Sequence, residues 1–424
     1  MFSFAGKSTG KGALSLWTHH LNTTDIITEY TSPTYTGPAA RLGAGVVGGE
    51  VYQVVGAAGY RILGGTCPTV GLAGGYAAGG GHSLLNGEGG LAADSVLEWE
   101  VITADGRHLF ATPHQNEELY WALSGGGPGT FAVVLSMTTK IYPDGPIGSG
   151  IMLFNMSSND TDNYWEAIQD LWAFLPHFVD AGPNTWDFSL TSTGFQAYAI
   201  TVPDKTSGQT QALLQPYLDK LAKRGIAYSY IPTYSENYLK YFTSRFGPGI
   251  AGAGPASVQL ASRLIPRAGV LNATQNARIV DSLKAFVDAK NWVLGCHALN
   301  VKDAPHPDNA VLPQWREAIA TCNIVSYWDW SLSEVEMAAQ SDYLVNTLMP
   351  QLEAATPGAG TYLNEINAQW KGDWVKELYG VNYERLLQIK NKYDPDHVFY
   401  AHTAIGSKSW VKDGDGRICR IAYP

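Results

Sequence analysis

The sequence predicts an α+β fold in two parts, a glycine-rich domain of short strands followed by an antiparallel sheet with helices on one face. Three observations carry this. The 46 glycines among 424 residues cluster at 43–90 and 125–129. From residue 164 onward, helix-period segments alternate with strand-like ones. Between the two styles stands the turn cluster Pro143-Asp144-Gly145-Pro146. The expected boundaries are 1–145 for the first domain, 146–380 for the second, and 381–424 for a closing segment that returns to the first.

In the first domain, Arg61-Ile62-Leu63 and Val96 to Thr103 read as strands. Ala104-Asp105-Gly106-Arg107 is a tight turn and His108-Leu109-Phe110 returns from it, so this pair is a hairpin. Glu117 to Leu123 is a short helix with acids at its start, where the helix dipole favours them. Phe131 to Ile141 alternates as a strand does. In the second domain, Trp165, Ile168, Leu171, Trp172 and Leu175 recur at helical spacing within Tyr164 to Phe178. Trp186 to Val202 is strand, turn, strand. Helices are expected at Gln209 to Arg224, Gln275 to Lys290 and Ser333 to Ala354, and strands at Ile226 to Tyr230 and Trp292 to Val301. Asn382 to Tyr393 is a last helix, stopped by Asp394-Pro395.

Composition narrows the function. Charged residues are 16% of the chain, against about 25% in typical domains, so much of it is buried. A net charge of −10 without a Lys/Arg run disfavours nucleic acid and anionic membranes. No apolar stretch reaches the roughly 18 residues of a membrane span. The four cysteines, Cys67, Cys296, Cys322 and Cys419, lie far apart with no CxxC spacing, which argues against a metal site. Sequons at Asn22, Asn155, Asn159 and Asn272 lean toward secretion, although no signal peptide opens the chain.

Two glycine motifs need weighing. Gly43-Ala44-Gly45-Val46-Val47-Gly48 matches GxGxxG ahead of an expected helix, Glu50 to Ala58. A nicotinamide-dinucleotide fold wants an acid about 20 residues on. Here the next strand runs into Gly64-Gly65-Thr66, so the motif reads as a strand-to-helix turn. The run from Gly64 to His82 is more specific. Gly71, Gly74, Gly75, Gly79, Gly80 and Gly81 leave backbone N–H groups bare, as an anion-cradling nest requires. Cys67, held extended before Pro68, is either a thiol presented to whatever the loop cradles or a buried structural cysteine. Spacing alone leaves both open.

The ordered motifs resolve this. Gly65-Thr66-Cys67-Pro68-Thr69-Val70-Gly71 and Gly74-Gly75-Tyr76-Ala77-Ala78-Gly79-Gly80-Gly81-His82 resemble the berberine-bridge-enzyme-like group of the vanillyl-alcohol-oxidase superfamily. The resemblance continues through Gly89 to Val101 and through Leu119 to Phe131. It ends at Tyr362-Leu363-Asn364, Lys392-Tyr393-Asp394-Pro395 and Phe399-Tyr400-Ala401. It implies a PCMH-type FAD-binding domain, N-terminally shortened, beside a substrate domain. It implies FAD bonded through the Cys67 thiol and lined by Thr69, Val70, Gly71, Gly74, Gly75, Gly79, Gly80, Gly81, His82, Val101, Gly126, Gly127 and Tyr400. The family's first lobe ends in a histidine that makes a second flavin bond. That histidine falls at Phe2 here, so a single thioether is expected.

The implied reaction moves a hydride from a small organic substrate to the flavin, a base takes the proton, and dioxygen is the final acceptor. Tyr362 is the candidate base, with Asn364 two residues on at the same face. A phenol with an ordinary pKa of about 10 needs a lowered pKa or a concerted transfer to serve. The other reading of Tyr362 is a packed tyrosine. His297 and His402 are weaker candidates, the first equally read as a satisfied polar group. Tyr327-Trp328-Asp329-Trp330 is expected to wall the pocket and select a flat apolar substrate, or else to pack the sheet. The alternative function is a non-redox member using its pocket for binding or cyclisation. A monomer in secondary metabolism, in the secretory pathway, is expected.

Overall fold

The computed structural model describes residues 7–8, 10–157, 159–247, 258–289, 291–415 and 417–421. Phe2 lies outside the described residues. Among the described residues no helix is long and apolar enough to cross a membrane, and no group of three or more His, Cys, Asp or Glu could hold a metal ion.

The first sheet has five antiparallel strands: β1 (Thr24–Ser32), β2 (Tyr35–Gly43), β3 (Val96–Ile102), β4 (His108–Ala111) and β5 (Val133–Lys140), in the order β1-β2-β5-β3-β4. The expected hairpin is β3 with β4, Trp99 opposite Ala111 and Ile102 opposite His108. Between β2 and the helix α1 (Gly48–Ala57) runs the GxGxxG stretch, which is a strand-to-helix turn. Its glycines answer to a neighbouring chain. A Cβ on Gly43 would lie 2.1 Å from the Leu21 carbonyl oxygen, and one on Gly45 would lie 2.3 Å from that of Thr18. The helix N-terminus is already occupied as well. Gly48 N–H donates to Val70 O at 2.9 Å and Gly49 N–H to Pro68 O at 2.8 Å. The glycine-rich loop is thereby folded back over α1.

The second sheet has seven strands: β6 (Ile147–Asn155), β7 (Thr185–Thr191), β8 (Gly194–Pro203), β9 (Tyr228–Ser235), β10 (Val258–Pro266), β11 (Val293–Ala298) and β12 (Ala318–Tyr327). Their order is β9-β6-β8-β7-β11-β12-β10, antiparallel throughout. One face carries Trp186, Phe188, Leu190, Phe195 and Leu294. These share an apolar core with α2 (Thr161–Asp180), α3 (Ser207–Lys223) and α4 (Ala273–Asp288). Trp172 and Trp186 are fully buried, and truncating such a side chain to Ala costs about 3–5 kcal/mol. Each helix has a side-chain N-cap: Asp160 bonds Asn163 N–H, Thr206 bonds Gln209 N–H, and Asn272 bonds Gln275 N–H.

Strand alternation sends the neighbouring residues to the opposite face. Register sets Asp187, His297, Thr321 and Leu264 in a row across four strands. A second row holds Ser189, Gly295, Asn323 and Ser262. This face meets the first domain: Thr185 donates to the Leu84 carbonyl at 2.9 Å.

Several elements depart from the sequence reading. The single helix expected over Ser333 to Ala354 is Glu334–Tyr343, a wider π-turn at Leu344–Leu348, and Met349–Ala355. Pro350 has no N–H to give a carbonyl four residues back, and the wider turn takes up the mismatch. Cys296 and Cys322, 26 residues apart, form a disulfide. Spacing carried no sign of it, because register on β11 and β12 places them opposite one another. Tyr238–Phe246, within the second stretch of sequence, packs on the first domain, with Phe242 at 4.6 Å from the Tyr52 ring.

Candidate cofactor and catalytic site

The site is built where the loop at 64–82 meets the polar face of the second sheet and the segment 361–367. Cys67 is exposed on this loop, its Sγ 3.4 Å from the Thr69 hydroxyl. It is therefore the presented thiol of the two readings. The N–H groups of Gly65, Thr66 and Cys67 bond no other described residue. Gly74 has φ +130° with nothing within 4 Å of where a Cβ would stand. Unpaired N–H donors, open backbone and an exposed nucleophilic sulfur fit a phosphate-bearing cofactor with an electrophilic carbon that a thiol can attack.

The later glycines serve a different end. A Cβ on Gly79 would lie 2.3 Å from the Asn364 amide, and one on Gly81 would lie 2.8 Å from Ala92. Both admit close protein contacts, not a nest. Gly80 and Gly81 carbonyls accept from Ala93 and Ala92. Gly71 bridges to Val47, and the half-buried Val70 packs beside the first core. Gly126 bonds the Ala122 carbonyl. Gly127, at φ +108°, donates to Ala78 O at 2.9 Å and so ties the second glycine cluster to the first.

Asn364 is fully buried. Its amide donates to the Tyr362 hydroxyl at 2.9 Å and to the Gly75 carbonyl at 3.0 Å. The pair expected from sequence is therefore assembled against the glycine loop. Burial and then the Glu365 carboxylate push the Tyr362 hydroxyl above its ordinary pKa. A raised pKa favours the protonated phenol, so an ionised Tyr362 is disfavoured as the resting form. Because its oxygen accepts from Asn364, its own proton is free to point to a ligand.

Two imidazole–carboxylate pairs adjoin the tyrosine. His82 Nε2 lies 3.3 Å from Glu365 Oε1, and the His82 ring is 5.5 Å from that of Tyr362. His297 Nδ1 lies 3.0 Å from Asp187 Oδ2 and Nε2 lies 3.1 Å from Asn86 Oδ1. Asn86 is itself oriented, because Oδ1 also accepts the Ser83 N–H at 2.7 Å while the amide donates to Gly90 O. Both ring nitrogens of His297 thus face acceptors, which pins the ring. The two histidine rings are 5.1 Å apart. Sequence reasoning passed over Asn86, Asp187 and Glu365. Only the sequon-like and motif positions stood out by spacing, whereas these three meet through register and loop closure.

Burial acts to lower the His82 pKa, but Glu365 and then Asp187 outweigh it, and the net shift is upward. A group with a raised folded pKa contributes stability that is fully present below its unfolded value of about 6.5. That contribution is lost as pH rises through the folded value. Wild-type protein should therefore lose melting temperature between pH 6 and pH 8 more steeply than His82→Gln. Equal slopes in thermal scans across that range would refute the assignment.

Val101 is within the first sheet, paired with Leu109 and Val134, with its side chain in the core. Tyr400 packs edge-on to Trp410 at 6.3 Å. His402 is exposed. Tyr327 and Trp330 are 76% and 79% exposed, so they neither wall an enclosed pocket nor pack the sheet. Tyr327 is the last residue of β12 and Trp330 lies three residues beyond it, while Trp328 of this group lines a cleft.

Known proteins share this sequence and fold. Residues 2–112 match the family described as FAD binding domain, and residues 361–406 match Berberine and berberine like. A bifunctional decalin synthase of Penicillium decumbens is 72% identical over 419 residues, 99% of this chain and 73% of that one. A VAO-type flavoprotein oxidase of Thermothelomyces thermophilus is 48% identical over 418 residues, 98% of this chain and 72% of that one. The crystal structure of a VAO-type flavoprotein from Myceliophthora thermophila C1 superposes with a TM-score of 0.96 at 47% identity, covering 99% of this chain and 76% of that one. The chain belongs to the VAO-type, berberine-like FAD-linked oxidoreductases.

Proposed function

We propose that the protein is an oxidase that removes two hydrogens from a small organic molecule of secondary metabolism and passes the electrons to dioxygen. The observation that carries this is the buried Tyr362–Asn364 pair, bonded to the glycine loop and flanked by Glu365. FAD, when bound, supplies a two-electron acceptor for a substrate hydride. The loop at 64–82 would hold it, with Cys67 as its covalent anchor. Tyr362, the base expected from sequence, is read here instead as keeping its proton and donating a hydrogen bond to the substrate oxygen. Glu365 Oε2, buried with no partner among the described residues, takes the proton that leaves the substrate O–H or N–H. His82 holds the other oxygen of that carboxylate.

A second reading, ring closure, is favoured by the 72% identical relative, which is named a decalin synthase. A decalin is a fused carbon bicycle, and closing it from an open chain leaves the mass unchanged. One experiment separates the two. A host strain carrying Glu365→Gln or Tyr362→Phe is compared with wild type by metabolite mass spectrometry. The oxidase reading expects a compound two hydrogens heavier to accumulate, with turnover lowered by about a hundredfold for Glu365→Gln and somewhat less for Tyr362→Phe. Accumulation of an isomer of the product supports ring closure and removes the oxidase reading. We also propose passage through the secretory pathway. The Cys296–Cys322 disulfide and the exposure of all four sequon asparagines support it.

A further inference from the structure

The row Ser189, Gly295, Asn323 and Ser262 on the inner sheet face has no role in the chemistry above. Three polar atoms here and on the adjoining row lack a partner among the described residues: Ser262 Oγ, Thr321 Oγ1 and Asn323 Oδ1. Ser262 and Thr321 are each 1% exposed. Ser262 stands opposite Asn323, and Thr321 is two residues along the same strand, so the three share one small patch. Gly295, opposite Asn323, has nothing within 4 Å of where a Cβ would lie. Buried polar atoms around open space are what a hydrogen-bonding ligand requires. Thr321 also neighbours His297 across the ladder, and the His297 ring is 5.1 Å from that of His82, which in turn meets Tyr362.

Leu260 continues the same face of β10 by two residues. It lines a cleft with Gln259, Trp328, Ile366 and Asn367, without a charged side chain among the described residues, and Ile366 and Asn367 also border the small cavity that Ser262 shares with the Glu353 carboxylate. We infer that Ser262, Thr321 and Asn323 are specificity-determining residues that hold a hydroxyl- or N–H-bearing end of a neutral substrate, whose apolar remainder lies along Leu260, Ile366 and Trp328. The requirement for a donor comes from Asn323 Oδ1, which only accepts. The two hydroxyls give or take as the ligand demands. This rests on the proposed function only in placing a substrate in that space.

The test is binding without turnover, on FAD-loaded protein, read by tryptophan fluorescence. The probes are decahydro-2-naphthol, its methyl ether and cellobiose. Wild-type protein should bind the alcohol at least tenfold more tightly than the ether, which has no donor, and at least tenfold more tightly than cellobiose. The double variant Thr321→Val, Asn323→Leu should cut the alcohol-over-ether preference below threefold while its flavin absorbance is unchanged. Thr321→Ser should keep the preference, and Gly295→Val should weaken both bicyclic probes tenfold or more. Equal binding of alcohol and ether by wild type overturns the inference. So does tighter binding of cellobiose, or loss of flavin together with preference in the double variant. A protein inactive as an oxidase that still shows the preference supports it, so its failure is separate from that of the oxidase reading.

Discussion

Cys67→Ala should leave no flavin in the acid-precipitated protein, whereas the wild-type pellet should be yellow and carry the mass of one FAD. The structure narrows the choice of anchor. Cys296 and Cys322 are joined in the core of the second domain, and Cys419 is on the hairpin Trp410–Lys412 with Ile418–Arg420. Of the four cysteines only Cys67 is on the glycine loop, exposed beside N–H donors that have no partner among the described residues. Thr69, at 3.4 Å, is placed to steady the sulfur. Mass spectrometry of tryptic peptides should find the adduct on the peptide containing Cys67. A yellow acid pellet from Cys67→Ala would end the proposal of a thioether at this residue. Activity alone would not test it, because FAD held without a bond still accepts electrons.

Arg316→Met should destabilise the protein by roughly 3–5 kcal/mol, because it strands a buried carboxylate. Asp94 is fully buried in the first domain, and Arg316 grips both its oxygens at 2.7 Å from the second. Asn309 and the Leu91 N–H complete its shell. A Cβ on Gly90 would stand 2.4 Å from Asp94 Oδ2, so the glycine makes room for the carboxylate. Thermal melting should show the fall. The double variant Asp94→Leu, Arg316→Met should recover part of it, since removing both charges leaves neither unpaired. A melting temperature within one degree of wild type for Arg316→Met would show that the pair does not hold the two parts together.

Much of this protein was legible before its fold was known. Apolar spacing marked α2, α3 and α4, and the hairpin turn at Asp105-Gly106 marked β3 and β4, because these signals are local. β1, β2, β6, β10 and β12 escaped notice. Their sequences do not alternate cleanly, since β10 and β12 are covered on both faces along most of their length. The glycine loop announced its thiol, yet not the use of each glycine. Gly79 and Gly81 are small because Asn364 and Ala92 press against them from far along the chain.

The sequence by itself determined the class of fold, the loop bearing Cys67, and the Tyr362–Asn364 pair. The last two are patterns within a few consecutive residues, and the first is a succession of such local patterns along the chain. Only the tertiary structure decided the neighbours that set their chemistry. Glu365 reaches His82 across 283 positions, Asp187 reaches His297 across 110, and Cys296 meets Cys322 through strand register. Such meetings depend on which strands pair and which loops close, and no local spacing encodes them. The exposed Cys67 thiol and the raised Tyr362 hydroxyl follow from the same cause. Burial is a property of the packed molecule, so the sequence named these groups and the fold assigned them their states.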